Sequence, residues 1–338
     1  MTSTSTSLIT GGAGFIGAHV VRAVLGEPEF AGERWVVLDD LSGGFRDNLP
    51  IDPRLDFVEG SVTDAKLVDE LFERHRFRFV YHLAAYAAEG LSHFIRRFNY
   101  TNNVIGSVTL TNAAVKYKAE CLVFTSSIAV YGSSQVPMSE DTVPQPEDPY
   151  GIAKYAVEQD LKAAQNIFGL DSVVFRPHNV YGEYQNIGDK YRNVVGIFMN
   201  RLLQGQPVPI FGDGEQQRAF TYIGDVAPLI ARSPLVPAAR NRVFNIGADH
   251  PCTVNELAQQ VAEAMGVPPR VKHLAPRQEA VIAYSDHSKC REVFADSPET
   301  PLSEGLKQMA AWVKQAGPRQ STEFSEVEVR DRLPESWA

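Results

Sequence analysis

The chain has 338 residues, 44% hydrophobic and 22% charged, with a formal net charge of −9; this is enough apolar sequence for one large or two smaller domains, and the acidic balance argues against nucleic acid as a partner. Three widely spaced cysteines, Cys121, Cys252 and Cys290, form neither a disulfide framework nor a metal-binding spacing, a pattern that fits a reducing cytoplasm. The opening MTSTSTSLIT lacks a signal-peptide pattern, and no apolar run approaches the roughly 20 residues that cross a membrane.

In chain order, SLIT (7–10) reads as a strand, followed by a glycine turn and a helix through about Leu25. WVVLDD (35–40) and LDFVEG (55–60) read as the second and third strands, and DAKLVDELFERH (64–75) as a helix. FRFVYHLAA (77–85) is the fourth strand and CLVFTSS (121–127) the fifth; a helix over 149–168 leads into a sixth, DSVVFRP (171–177). Apolar strands alternating with helical periods predict an α/β fold built on a doubly wound parallel sheet. Ligands then lie beyond the carboxyl ends of the strands, where Gly11, Asp39, Ala84, Ser126 and His178 fall. Residues 1–180 are assigned to this domain. After about Tyr181 prolines and glycines become frequent and elements shorten, so 181–317 reads mainly as a smaller α/β lobe closing over a ligand. Residues 318–338 read as a polar, loosely held tail.

The turn after the first strand is GGAGFIG. Gly12, Gly14 and Gly17 satisfy GxGxxG, and Gly11, Gly14 and Gly17 satisfy GxxGxxG. Glycines at this spacing let the backbone approach a pyrophosphate at a helix N-terminus. Asp39, at the end of the second strand, is placed to hydrogen-bond a ribose 2′-hydroxyl and to repel a 2′-phosphate, which favours NAD over NADP. In YGIAK (150–154) a tyrosine and a lysine stand one helical turn apart. A lysine ammonium beside a phenol stabilises the phenolate and makes the tyrosine a usable base; a plain surface pair is the other reading.

With TSSIAVYG (125–132) and YGIAK placed after a dinucleotide turn, the chain resembles the extended short-chain dehydrogenase/reductase family. Within it, the chain is most similar to the nucleotide-sugar epimerases of the UDP-glucose 4-epimerase type. VVLDDLSGG, VYHLAA, NYTNNVIGS, RPHNVYG, IFGDGEQQRAFTYIGDVA and VFNIG carry the likeness from about Ser7 to Trp312. The resemblance implies a Rossmann-type sheet, a tightly bound NAD and a catalytic Ser127 with Ser126 as its neighbouring alternative. Tyr150 is then the acid/base and Lys154 its partner, also holding the nicotinamide ribose. Phe15, Ile16, Asp40, Ser42, Leu83, Ala84, Ala85, Asn102, Pro177 and His178 carry over as cofactor positions. Where the family usually has an acidic residue reading adenine, this chain has EGSV, leaving Ser61 and Val62.

The same resemblance assigns Asn179, Asn193, Arg218 and Arg277 to a nucleotide-sugar, with Phe211 of PIFG along the base; guanidinium groups suit a diphosphate. Phe198 and Met199 have helical spacing and read as core. Glu89 and His93 fall near the expected hexose site, to read a hydroxyl, to act as an added acid/base, or to start a helix. Of the position beside C2 of the hexose, two counts disagree: one gives Ala283, the other Tyr284. The family's 4,6-dehydratases carry an Asp-Glu pair directly after the catalytic Ser/Thr, where this chain has Ile128 and Ala129, which cannot move protons. The implied reaction is therefore 4-epimerisation of a UDP-hexose through a 4-keto sugar. Dehydratase, decarboxylase or 3,5-epimerase chemistry, and a non-catalytic NAD-binding regulator, are the alternatives. A cytoplasmic homodimer paired through helices near 92–117 and 150–167 is also implied.

Overall fold

A computed structural model describes residues 5–133, 136–189, 191–276, 281–295, 299–319 and 327–334. Its first half alternates strands and helices in chain order. β1 (Thr6–Thr10) leads to α1 (Phe15–Gly26), β2 (Arg34–Asp39) and β3 (Leu55–Glu59). Next come α2 (Ala65–His75), β4 (Phe79–His82), α3 (Glu89–Ser92), α4 (Arg96–Tyr100) and α5 (Gly106–Lys116). β5 (Cys121–Thr125), α6 (Pro149–Phe168) and β6 (Asp171–Pro177) complete this half.

The strands pair in parallel in the order β6-β5-β4-β1-β2-β3, and a seventh strand, Arg242–Ile246, adds in parallel beside β6. The order reverses between β1 and β4, which opens a crevice at the carboxyl ends of those two strands. Both faces of the sheet are covered. Leu8, Val36, Val80 and Leu122 pack on one side. Ile9, Val37, Tyr81 and Val123, one residue on in each strand, pack on the other. That is why these strands read as unbroken apolar runs rather than as polar/apolar alternation.

The helices stop and start where their local chemistry dictates. Asp64 accepts from the Lys66 and Leu67 amides at the start of α2, whose Val68, Leu71 and Phe72 form the buried stripe. Asp148 caps α6, accepting from the Gly151 amide at 2.9 Å, with Pro149 in the first turn and left-handed Gly169 at the end. The inward stripe of α6 holds Tyr150, Lys154, Val157, Glu158 and Leu161. Three polar side chains on a face that packing reserves for apolar ones mark this helix as more than structural.

The seventh strand comes from within 181–317, and the helix Ile223–Arg232 of the same stretch packs on α1. A five-residue run such as VFNIG carries no period that says which sheet it joins. The rest of 181–317 holds short sheets and helices, including α7 (Val194–Leu203). No helix among the described residues is long and apolar enough to cross a membrane.

Candidate active site

At the end of β1 the chain turns through Gly11. Its φ is +70°, and a Cβ there would stand 2.6 Å from the Ala84 amide nitrogen, so only glycine serves. A Cβ on Gly17 would collide with the Gly11 carbonyl oxygen. The first turn of α1 carries no acidic side chain, and its free N–H groups and positive dipole end open on a cleft. Gly11, Gly14, Phe15, Ile16 and Gly17 line this cleft, whereas Gly12 packs against Val37. The structure thus uses the GxxGxxG pattern.

Asp39, Asp40 and Ser42 form the next part of the lining. The Asp39 carboxylate accepts from the Ala13 amide at 2.9 Å and the Leu41 amide at 2.8 Å, one on each oxygen. Burial raises its pKa and those amides draw it back. Each oxygen keeps a lone pair for a ribose hydroxyl. Val62, Leu83, Ala84, Ala85, Asn102 and Pro177 continue the wall, with Ser126, Ser127, Tyr150 and Lys154 at the far end. An anion-receptive helix start, a carboxylate at the end of β2 and a narrow apolar slot between them fit a dinucleotide such as NAD.

Two of the expected cofactor positions lie off the cleft. Ser61 does not line it, its hydroxyl pairing with Thr63 Oγ1 at 2.9 Å; its neighbours Gly60 and Val62 stand at that edge. His178 faces the adjoining larger cavity instead. Its ring is buried, stacks on His287 at 5.2 Å and places Nε2 3.1 Å from His287 Nε2. Both of its nitrogens are occupied, since Nδ1 lies 3.3 Å from the Ala219 carbonyl. Burial pushes its pKa down to about 3, so it is a neutral packing group.

Ser127 follows β5 and caps a short 3-10 turn, its hydroxyl accepting from the Ala129 amide at 3.1 Å. Tyr150 and Lys154 face it from the first turns of α6. Burial pushes the Tyr150 phenol upward, and its contact with the Ser127 side chain works the other way. Lys154 Nζ donates to the Thr125 carbonyl at 2.7 Å and sits 5.7 Å from the centre of the Tyr150 ring. Burial drives the Lys154 pKa down to about 7, against the pull of Glu158. An anionic dinucleotide or a Tyr150 phenolate nearby would draw it back up.

That depression has a signed consequence for stability. Between pH 7 and the ordinary lysine value near 10.5, the unfolded chain holds a proton that the cofactor-free fold lacks. Stability therefore rises with pH across this window, by at most about 1.4 kcal/mol per pH unit, and levels off above it. Urea unfolding of NAD-free protein at pH 7, 8 and 9 is expected to show this slope, and Lys154→Met to flatten it. Equal slopes would place the lysine proton elsewhere.

Below Lys154 lies a buried polar network. Glu158 accepts from Arg176 Nε at 2.9 Å and from its terminal nitrogen at 2.5 Å, and from the Ser126 hydroxyl. Arg176 also donates to the Tyr131 hydroxyl at 2.7 Å, which donates to Asn245. Sequence reasoning missed Glu158 and Arg176 as site support. The signal was present, since Glu158 stands one turn past Lys154 on the same stripe.

Beyond Ser127 and Tyr150 the cleft meets a larger cavity of about 1730 Å³. Glu89, His93, Asn179, Asn193, Phe211 and Arg218 all line it. Asn179 and Asn193 are further oriented by bonds to the Ala219 and Val180 carbonyls. Phe198 and Met199 are buried in the core, as their spacing predicts, with Phe198 reaching the cavity wall. Ala283 lines the cavity and Tyr284 does not. Arg277 lies outside the described residues. Arg192, not anticipated from the sequence, borders both the cleft and the cavity; its guanidinium lies over the Tyr86 ring at 4.5 Å and pairs with Asp189 at 3.0 Å. Ile128 and Ala129 occupy the wall beside Ser127. Among the described residues no group of His, Cys, Asp and Glu could hold a metal ion.

A reversed parallel sheet, a glycine cradle under a helix start and a part-buried Ser127 facing buried Tyr150 and Lys154 define an NAD-binding Rossmann enzyme of the extended short-chain dehydrogenase/reductase class. The model of the NAD dependent epimerase/dehydratase family matches residues 7–247, and the chain belongs to that family. The UDP-glucose 4-epimerase of Thermotoga maritima, solved with UDP-glucose, superposes with a TM-score of 0.84 at 35% identity, covering 92% of this chain and 99% of its own. The UDP-glucose 4-epimerase of Thermus thermophilus, solved with NAD, gives 0.84 at 31% identity, with the same coverage of both chains. A dTDP-glucose 4,6-dehydratase of Streptomyces niveus is 31% identical over 316 residues, 91% of this chain and 92% of its own. The protein is therefore an enzyme of the NAD-dependent epimerase/dehydratase family.

Proposed function

We propose that the protein interconverts C4 epimers of a UDP-hexose, using a tightly held NAD. The observation that carries this reading is the placement of Ser127 and Tyr150 where the cleft meets the larger cavity, with Lys154 on the cleft side and Ile128 and Ala129 on the cavity wall. Tyr150 takes the proton of the C4 hydroxyl while the Ser127 hydroxyl hydrogen-bonds the same oxygen. Lys154 stabilises the phenolate that begins the cycle. NAD, which Gly11, Gly14, Gly17 and Asp39 would hold, would supply the hydride acceptor for C4. The 4-keto sugar turns over in the cavity, presents its other face, and Tyr150 gives the proton back to the new alcohol. Asn179, Asn193, Arg218 and Phe211 hold the nucleotide diphosphate throughout. Arg277 is assigned to the same diphosphate from sequence likeness alone.

The dehydratase reading has a related sequence in its favour, but dehydration needs further proton transfers at the carbons next to C4. The two side chains following Ser127 are hydrocarbon. Glu89 and His93 are the groups that would have to supply such steps. Incubating the purified protein, without added cofactor, with UDP-glucose, UDP-galactose and their N-acetyl forms tests the proposal. A C4 epimer is expected, and loss of water would move the chemistry to Glu89 and His93.

The small side chain of Ala283 on the cavity wall favours acceptance of N-acetylated hexoses. Ala283→Tyr is expected to lower kcat/KM for the N-acetyl substrates at least tenfold more than for UDP-glucose. An unchanged ratio would remove this residue from the sugar contacts. The homodimer fits Ile105 and Ile152, 55% and 40% exposed at the start of α5 and on α6, and the cytoplasm fits three free cysteines.

A further inference from the structure

The chain leaves its last helix, Leu302–Ala316, and is anchored on two walls of the larger cavity. On the α7 side Asn200 makes two bonds with the Arg319 backbone, each 3.2 Å. On the opposite side Glu328 and Val329 donate their amides to the Phe94 carbonyl at 2.8 and 3.1 Å. The Glu328 carboxylate accepts from the Arg97 and Phe98 amides, 2.8 Å each, one on each oxygen. These are N–H groups of the first turn of α4 that no helical carbonyl can take. Leu333 packs on the apolar cluster of Ala88, Leu91 and Ile95. Val329, Asp331, Arg332 and Pro334 line the same cavity as Ser127, Tyr150, Glu89 and His93.

The stretch that receives this segment also supports the catalytic helix. The Ser92 hydroxyl accepts from the Tyr150 amide at 3.3 Å, and Asn99 donates to the Pro149 carbonyl at 2.9 Å. The C-terminal residues therefore stand on the element that sets the start of α6, and they border the cavity at its mouth, where Asp331 and Arg332 remain 87% and 92% exposed.

We propose that residues 327–334 are a strap forming the outer wall of the sugar end of the substrate cavity, latched by Glu328 and seated by Leu333. This rests on the sugar-nucleotide reading above. Glu328 is a positioning residue: it does not touch the sugar but fixes the segment that does. The strap acts on the hexose and leaves the nucleotide end alone, so it changes affinity for a UDP-sugar and not for UDP.

The test is calorimetric binding of UDP and of UDP-glucose to the NAD-loaded full chain and to Glu328→Ala, Glu328→Gln and a chain ending at residue 326. Glu328→Ala and the truncation are expected to weaken UDP-glucose about tenfold while UDP stays within about twofold, which also reports that the fold is intact. Glu328→Gln keeps one acceptor oxygen and is expected to fall between. Faster hydrogen exchange at the Arg97 and Phe98 amides should accompany the loss. UDP-glucose affinity within about twofold in both variants would overturn the strap. Binding is read without turnover, so absence of a C4 epimer would contradict the proposed reaction alone, and a full chain that binds neither probe would overturn both.

Discussion

Tyr150→Phe is expected to lower turnover about a thousandfold, within the range for losing a positioned general acid/base, while the protein keeps its NAD. The substitution removes one oxygen from a ring that stays packed between α6 and the cleft. The cradle of Gly11, Gly14 and Gly17 and the Asp39 carboxylate lie at the other end of the cleft and are untouched. The measurement is kcat together with the NAD released on denaturing the purified variant. Near-normal turnover would remove Tyr150 from the chemistry. Loss of NAD would mean that the phenol holds cofactor rather than moving a proton.

The second large effect lies beneath the site. Arg176 and Glu158 form an ion pair whose side chains are 4% and 3% exposed. Removing one partner strands the other charge in the interior, which costs about 3–5 kcal/mol, whereas replacing both by apolar side chains is often neutral. Arg176→Met is therefore expected to destabilise the fold by that amount, and Arg176→Met with Glu158→Leu to recover most of it. Urea unfolding of the four proteins of the cycle checks this. A further consequence separates the pair from ordinary packing. In the double variant Lys154 loses the carboxylate that draws its pKa upward, so the alkaline side of the rate profile should move to lower pH even though stability returns. Additive destabilisation, or an unmoved profile, would show that the network does not reach Lys154.

Much of this architecture is legible in the sequence, for identifiable reasons. Five of the six strands up to Pro177 declare themselves because both of their faces are buried, which leaves largely apolar runs between turn residues, whereas β3 is a half-buried edge strand with Asp56 and Glu59 exposed. α6 is framed by Asp148, Pro149 and Gly169, each a recognised helix punctuator. The glycine cradle is readable because backbone geometry and steric contact leave no substitute at Gly11. What sequence does not show is long-range. The seventh strand is only five residues and its partner β6 lies about seventy positions earlier. The Glu158–Arg176 pair joins a helix to a strand. The seating of Glu328 on the amides of Arg97 and Phe98 joins residues 230 and 231 positions apart; a charged, aperiodic stretch gives no hint of a docking partner. Ser61 and His178 were assigned by position along the chain, and side-chain direction then set one on Thr63 and the other on His287.

The central claim is that one carbon of the sugar loses and regains the same hydride. The direct measurement is the fate of deuterium placed at C4 of UDP-glucose, followed by NMR in the product formed by purified protein with only its own bound cofactor. The account predicts UDP-galactose carrying the label at C4, with no solvent hydrogen incorporated. Deuterium at another carbon, lost to solvent, or left on the cofactor with a dehydrated sugar would contradict it.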